Sequence, residues 1–165
     1  MISSMKKHPA LWIALTIFVI LLLAVLWYTR PVAFSDLNGI GDSPIVSFSG
    51  AMSIPMVVNG HPYIDTWTIQ TEDDWDYMAG LLKESTYRRS LRNLFDPNWQ
   101  QVIHNGGGSI LGIAVLENQD DFSFHLTSEN LITLNGVTYR VECPLHAGLF
   151  AEMAASMREN GTFQE

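Results

Sequence analysis

The chain has 165 residues, 47% hydrophobic and 16% charged, with a formal net charge of −8 and one cysteine. The acidic balance argues against a general nucleic-acid binder, the low charged fraction against a disordered polyelectrolyte, and the single cysteine against an internal disulfide. Hydrophobicity is unevenly spread, because 18 of the 19 residues from Ala10 to Tyr28 are hydrophobic and only Thr16 interrupts them.

At 1.5 Å per residue that block makes a helix of about 28 Å, close to the roughly 30 Å hydrocarbon core of a bilayer. Trp12 lies near one end and Trp27 with Tyr28 at the other, where amphipathic rings settle at headgroup level. Lys6 and Lys7 precede the block and only Arg30 follows closely, so the positive-inside rule puts residues 1–9 in the cytoplasm and residues 10–29 in the membrane as an uncleaved signal anchor. A cleaved signal peptide is the alternative; it calls for a shorter apolar run and a small-x-small site, which Trp27-Tyr28-Thr29-Arg30 does not supply. Residues 30–43, with Pro31, Gly39 and Gly41, read as a flexible stalk, 44–160 as one extracytoplasmic domain and 161–165 as a tail. Everything after Arg30 carries six Lys/Arg against all seventeen Asp/Glu of the chain, a net charge of −11.

Within the outer domain, Met52, Ile54, Met56 and Val58 alternate up to Asn59-Gly60, and a second extended run follows from His61 to Gln70. Asn-Gly suits a type I′ turn, which predicts a hairpin pairing Val58 with His61, Met56 with Tyr63 and Met52 with Trp67, with Pro55 marking an edge strand or bulge. Thr71 with Glu72, Asp73 and Asp74 predicts a helix start, and Trp75, Met78, Ala79 and Leu82 its buried stripe. Tyr87 to Phe95 reads as a second helical piece ended by Asp96-Pro97. Ile110–Leu116, apolar at nearly every position, reads as a central strand covered on both faces and Phe122–Thr127 as an alternating strand, and a second Asn-Gly at 135–136 joins Leu131–Leu134 to Val137–Glu142. Pro144 suits the first turn of a closing helix with Leu145, Leu149, Phe150, Met153 and Met157 on its apolar side. Strands with segregated helices predict an α+β fold: an antiparallel sheet of five to seven strands with helices packed on one face, behind a single transmembrane helix.

The run Trp67-Thr68-Ile69-Gln70-Thr71 into Trp75 to Leu82, then Tyr87 to Phe95, the glycine-rich stretch 106–108 and the Asn-Gly hairpin resembles small uncharacterised proteins of Gram-positive bacteria. Those have an N-terminal membrane anchor or lipid attachment and one small outer domain. The resemblance covers most of residues 44–160 and implies that topology. It carries over no catalytic residue, and the chain lacks the lipid-accepting cysteine of the lipid-attached members.

Four positive charges of the outer domain cluster at Lys83, Arg88, Arg89 and Arg92. On a helix Arg88 and Arg92 would stand one turn apart, where guanidinium groups can fork onto carboxylate or phosphate; solvated pairing with Glu84 and Asp96 is the bland alternative. Trp99, in the loop after Pro97, is the candidate surface aromatic. His104, His125, Cys143 and His146 lack the paired spacing of a zinc site, the glycine run 106–108 leads into a strand instead of a phosphate-binding helix, and no serine sits in a nucleophile elbow. The sequence therefore points to no catalytic residue, metal or cofactor. It reads as a membrane-tethered binding or interaction module, with Arg88, Arg89, Arg92 and Trp99 as ligand candidates. The partner classes are a protein, a peptide or an anionic envelope ligand, and not nucleic acid. An envelope hydrolase and an accessory subunit of a membrane complex are the alternatives.

Overall fold

The computed structural model describes residues 9–37, 40–95 and 107–164. The chain divides into two compact units after Arg30. The first contains α1 (Pro9–Tyr28), which is long and apolar enough to cross a membrane. The Thr16 hydroxyl donates to the Trp12 carbonyl at 2.9 Å, so the polar atom within the apolar run is satisfied inside the helix. Arg30 stands 5.3 Å over the Trp27 ring at the helix end.

The second unit is α+β. Its strands are β1 (Pro31–Val32), β2 (Ile45–Val58), β3 (His61–Ile69), β4 (Thr86–Arg89), β5 (Ser109–Leu116), β6 (Asp121–Thr127), β7 (Leu131–Leu134), β8 (Val137–Glu142) and β9 (Thr162–Gln164). They form one antiparallel sheet in the order β1-β4-β8-β7-β6-β5-β2-β3-β9. The nine strands among the described residues exceed the expected five to seven because three short ones, β1, β4 and β9, carry no alternating pattern long enough to read. Helices α2 (Asp76–Glu84) and α3 (Leu149–Asn160) contribute Met78, Ala79, Leu81, Leu82, Leu149, Met153, Ala154 and Met157 to the core. The sheet meets them with alternate residues, among them Phe48, Met52, Ile110, Phe122, Phe124, Leu126, Ile132 and Tyr139. One face of the sheet is thus covered by helices, as the period-2 pattern of β5 and β6 demands.

Both Asn-Gly turns form as expected, with positive φ at Asn59 and Gly60 and at Asn135 and Gly136. The first hairpin has the expected register, Val58 to His61, Met56 to Tyr63 and Met52 to Trp67.

Several expectations are corrected. The stretch read as a free stalk is largely built into the domain: β1 pairs with β4, and Phe34, Leu37 and Ile40 are buried in the core. Those three apolar residues at a spacing of three outweigh the glycines and polar residues around them. The expected tail forms β9 along β3, with Phe163 against Trp67 at 5.2 Å. Helix α2 starts at Asp76 instead of Thr71, because the Asp73 carboxylate accepts the Gln70 N–H at 2.7 Å and closes a separate turn. Tyr87 to Phe95 is no α-helix: 86–89 is a strand and Leu91–Leu94 a short 3-10 turn. The closing helix starts at Leu149, after Gly148 at φ +84°, which leaves Pro144 outside it and Leu145 exposed.

Candidate functional site

The uncovered face of the sheet carries the second set of alternating residues. On β5 these are Leu111 and Ile113, which are 56% and 51% exposed although they stand on a central strand. In register beside them come Ala51 and Ser49 of β2, His125 and Ser123 of β6, and Thr133 of β7 opposite His125. Thr68 and Gln70 extend the row past β2.

Two glycines stand within this row. Gly50 and Gly112 face each other across β2 and β5. A Cβ on Gly112 would lie 2.3 Å from the Phe124 ring, and one on Gly50 would lie 2.9 Å from the Leu111 carbonyl oxygen. Phe124 of the neighbouring strand fills the place of the missing Gly112 side chain, an aromatic covering a strand glycine. Paired glycines in mid-strand permit a sharp local bend. On the uncovered face the sheet there holds a hollow of about 530 Å³, lined by Ser49, Ala51, Thr68, Gln70, Leu111, Ile113, Ser123, His125, Thr133 and Asn135 among others. Among the described residues its lining contains no Asp, Glu, Lys or Arg. In a domain of net charge −11 that is an island of aliphatic floor with a hydroxyl, amide and imidazole rim.

The hollow ends toward β8, where Thr138 is only 1% exposed. The Asn93 amide donates to the Thr138 carbonyl at 2.7 Å, and the Thr133 and Thr138 hydroxyls hydrogen-bond at 2.8 Å. The 3-10 turn that carries Asn93 is therefore tied down over this end of the sheet.

The structure disperses the arginine candidates. Arg88 lies in β4 opposite Arg140 of β8, and its guanidinium contacts the Glu142 carboxylate at 2.8 Å, with both side chains about half exposed. Arg89 is the next strand residue and so points to the other face, in register with Tyr139. Arg92 sits in the following turn. Glu142, far away in sequence, takes the role expected of the helical neighbour Glu84, because a cross-strand partner replaces the i−4 one once 86–89 is a strand. Trp99 and His104 lie outside the described residues. Among the described residues no three of His, Cys, Asp and Glu gather at a spacing that could hold a metal ion.

On the covered face, Tyr87 is fully buried; its hydroxyl donates to the Leu82 carbonyl at 2.6 Å, and burial, with the neighbouring Cys143 as a smaller cause, pushes its phenol well above the ordinary value. The Tyr77 hydroxyl donates to Glu152 at 3.1 Å and joins α2 to α3, its pKa raised by desolvation and by that carboxylate. Tyr87 thus ties β4 to α2 within the core, and Tyr77 links the two helices at the surface.

The hollow was not among the sequence candidates. Its signal was legible only in part, as a hydrophobic run on β5 that reads as a strand covered on both faces, when one of those faces is open. Compared with protein-family models, with curated proteins and with solved structures, the chain shows no match.

Proposed function

We propose that the protein is a single-pass, membrane-tethered binding module, and that its outer domain takes an uncharged ligand on the open face of the sheet. The observation that carries this reading is the hollow at Leu111 and Ile113. Exposed aliphatics on a central strand leave an apolar surface in water, and a ligand that covers them gains about 25 cal/mol per Å² removed. The hydroxyl and amide rim supplies orientation, the usual division of labour in a binding pocket. An extended peptide or a neutral envelope polymer fits this lining better than an anionic ligand does.

The tether reading is supported by α1, and Lys6 and Lys7 before it favour an N-terminus inside and the acidic domain outside, in a bacterial cell envelope of the kind the sequence resemblance implies. No cofactor enters this reading, and neither does catalysis.

A photocrosslinking residue at Leu111 of the full chain in intact cells tests the site. The reading expects a discrete adduct that is lost when Ile113→Arg places a charge in the hollow, and that does not form from the same residue at Glu117. An adduct indifferent to Ile113→Arg would remove the hollow from the binding surface.

A further inference from the structure

Beyond Ser53, where β2 leaves β5, and Thr66, where β3 leaves β9, the hairpin runs on as a two-stranded arm from Ile54 to Asp65 with no described strand along either edge. Its apolar side chains are exposed on both faces. Met56, Val58 and Tyr63 stand on one, while Val57, 75% exposed, and Ile64, 62% exposed, stand on the other. From Pro55 to Ile64 there is no Asp, Glu, Lys or Arg.

The register shows how the arm's edges are treated. A two-residue turn makes Val58 and His61 a hydrogen-bonded pair, so positions 57 and 55 of β2 and 62 and 64 of β3 turn their backbone groups outward. Proline occupies one outward position on each edge, Pro55 and Pro62. Each removes an outward donor without taking a hydrogen bond from the hairpin. Strand addition by a peptide or a second copy is therefore blunted on both edges. A protein groove would cover one face of such a ribbon and leave the other wet, whereas lipid surrounds both.

We propose that residues 55–64 lie in the headgroup boundary of a bilayer, as a second, reversible membrane contact of the tethered domain. This rests on the reading of α1 as a span. Only Thr29 and Arg30 separate α1 from β1, three Cα steps that reach at most about 11 Å, so the chain enters the domain close to where the span ends. The four residues Pro55–Val58 extend about 13 Å, ample for the 5–10 Å depth of an interfacial element. Tyr63 suits that layer, and the prolines leave only the Val57 and Ile64 outward N–H groups to desolvate. The polar turn Asn59-Gly60-His61 keeps the arm out of the hydrocarbon core. The acidic body, repelled by anionic headgroups, stays back while the uncharged arm approaches.

The test uses the full chain with Cys143→Ser, reconstituted in phosphatidylcholine and phosphatidylglycerol vesicles that carry a nitroxide quencher near the headgroup. An environment-sensitive fluorophore is placed in turn at Val57→Cys, Ile64→Cys, Leu26→Cys in the span and Glu117→Cys as a water-exposed reference. Immersion predicts blue-shifted emission and about twofold quenching at 57 and 64, as at 26, with 117 unaffected. Emission at 57 and 64 matching 117 while 26 is quenched overturns the arm's lipid contact and leaves the tether standing. A blue shift at 57 and 64 without quenching also overturns it, since protein then covers the arm. Absence of quenching at 26 overturns the span and the arm's contact together.

Discussion

The Asn130 side chain caps a helix that begins nineteen residues later: its Oδ1 accepts the Phe150 N–H at 3.0 Å, in the first turn of α3. The same residue holds φ at +55°, and its carbonyl accepts the Val141 N–H at 2.9 Å. One asparagine thus joins the turn after β6, strand β8 and helix α3. Gly148, in front of that helix at φ +84°, leaves room for it, since a Cβ there would lie 2.6 Å from the Asn130 amide nitrogen.

Asn130→Ala loses the cap, about 1 kcal/mol, and meets the left-handed backbone penalty, about 1–2 kcal/mol. Asn130→Gly loses only the cap. Denaturant unfolding of residues 31–165 is expected to rank native above Asn130→Gly above Asn130→Ala. Equal losses would show that backbone conformation has no part in the role of Asn130.

Gly112→Ala forces a methyl group into the Phe124 ring and is expected to destabilise by about 1–3 kcal/mol, as overpacking does. Leu111→Gln, on the opposite face of the same strand, changes stability by less than about 0.5 kcal/mol while removing the apolar floor of the hollow. Paired thermal melts of the two variants check this, and a larger loss from Leu111→Gln would mean that the open face is part of the fold's core.

Tyr87 gives the fold an alkaline limit. Its raised phenol pKa means that the folded state holds the proton more tightly than the unfolded chain, whose tyrosine titrates near about 10. The stabilisation is complete below that value and is lost as pH rises above it. Tyr87→Phe removes the hydrogen bond to Leu82, lowering neutral-pH stability by about 1 kcal/mol, and flattens the decline above about pH 10. An unchanged alkaline slope in Tyr87→Phe would assign the decline to other groups.

The proline edges make a separate prediction. Replacing both Pro55 and Pro62 with valine restores an outward N–H on each edge of the arm while keeping the hairpin register. Concentration-dependent self-association, followed by light scattering, is expected to rise in the double variant. Equal monomer content at all concentrations would show that the prolines do not guard the edges.

The hairpin of β2 and β3 was legible in the sequence because its turn residues and its alternating run agree, and each fixes register independently. The covered face was legible for the same reason, through Phe122, Phe124 and Leu126. Thr86–Arg89 was not, because four residues carry too little pattern to separate a strand from a helical turn, and only pairing with β8 decides it. Phe34, Leu37 and Ile40 were hidden by the glycines and polar residues around them. Beyond the apolar run of β5 the hollow was illegible, because its lining is assembled only when strands distant in sequence stand side by side. Pro55 reads as a sign of an edge strand or bulge, and its pairing with Pro62 as two blocked edges required the register.

The central claim is that an N-terminal span holds an outer domain in place. Its most direct measurement is labelling of intact cells with a membrane-impermeant maleimide, using Ser128→Cys and Ser4→Cys separately in a Cys143→Ser chain. Residue 128 is expected to be labelled in intact cells and residue 4 only after permeabilisation, on a full-length protein that stays in the membrane pellet through an alkaline wash. Labelling of residue 4 but not 128 in intact cells, or a shortened soluble product, would contradict it.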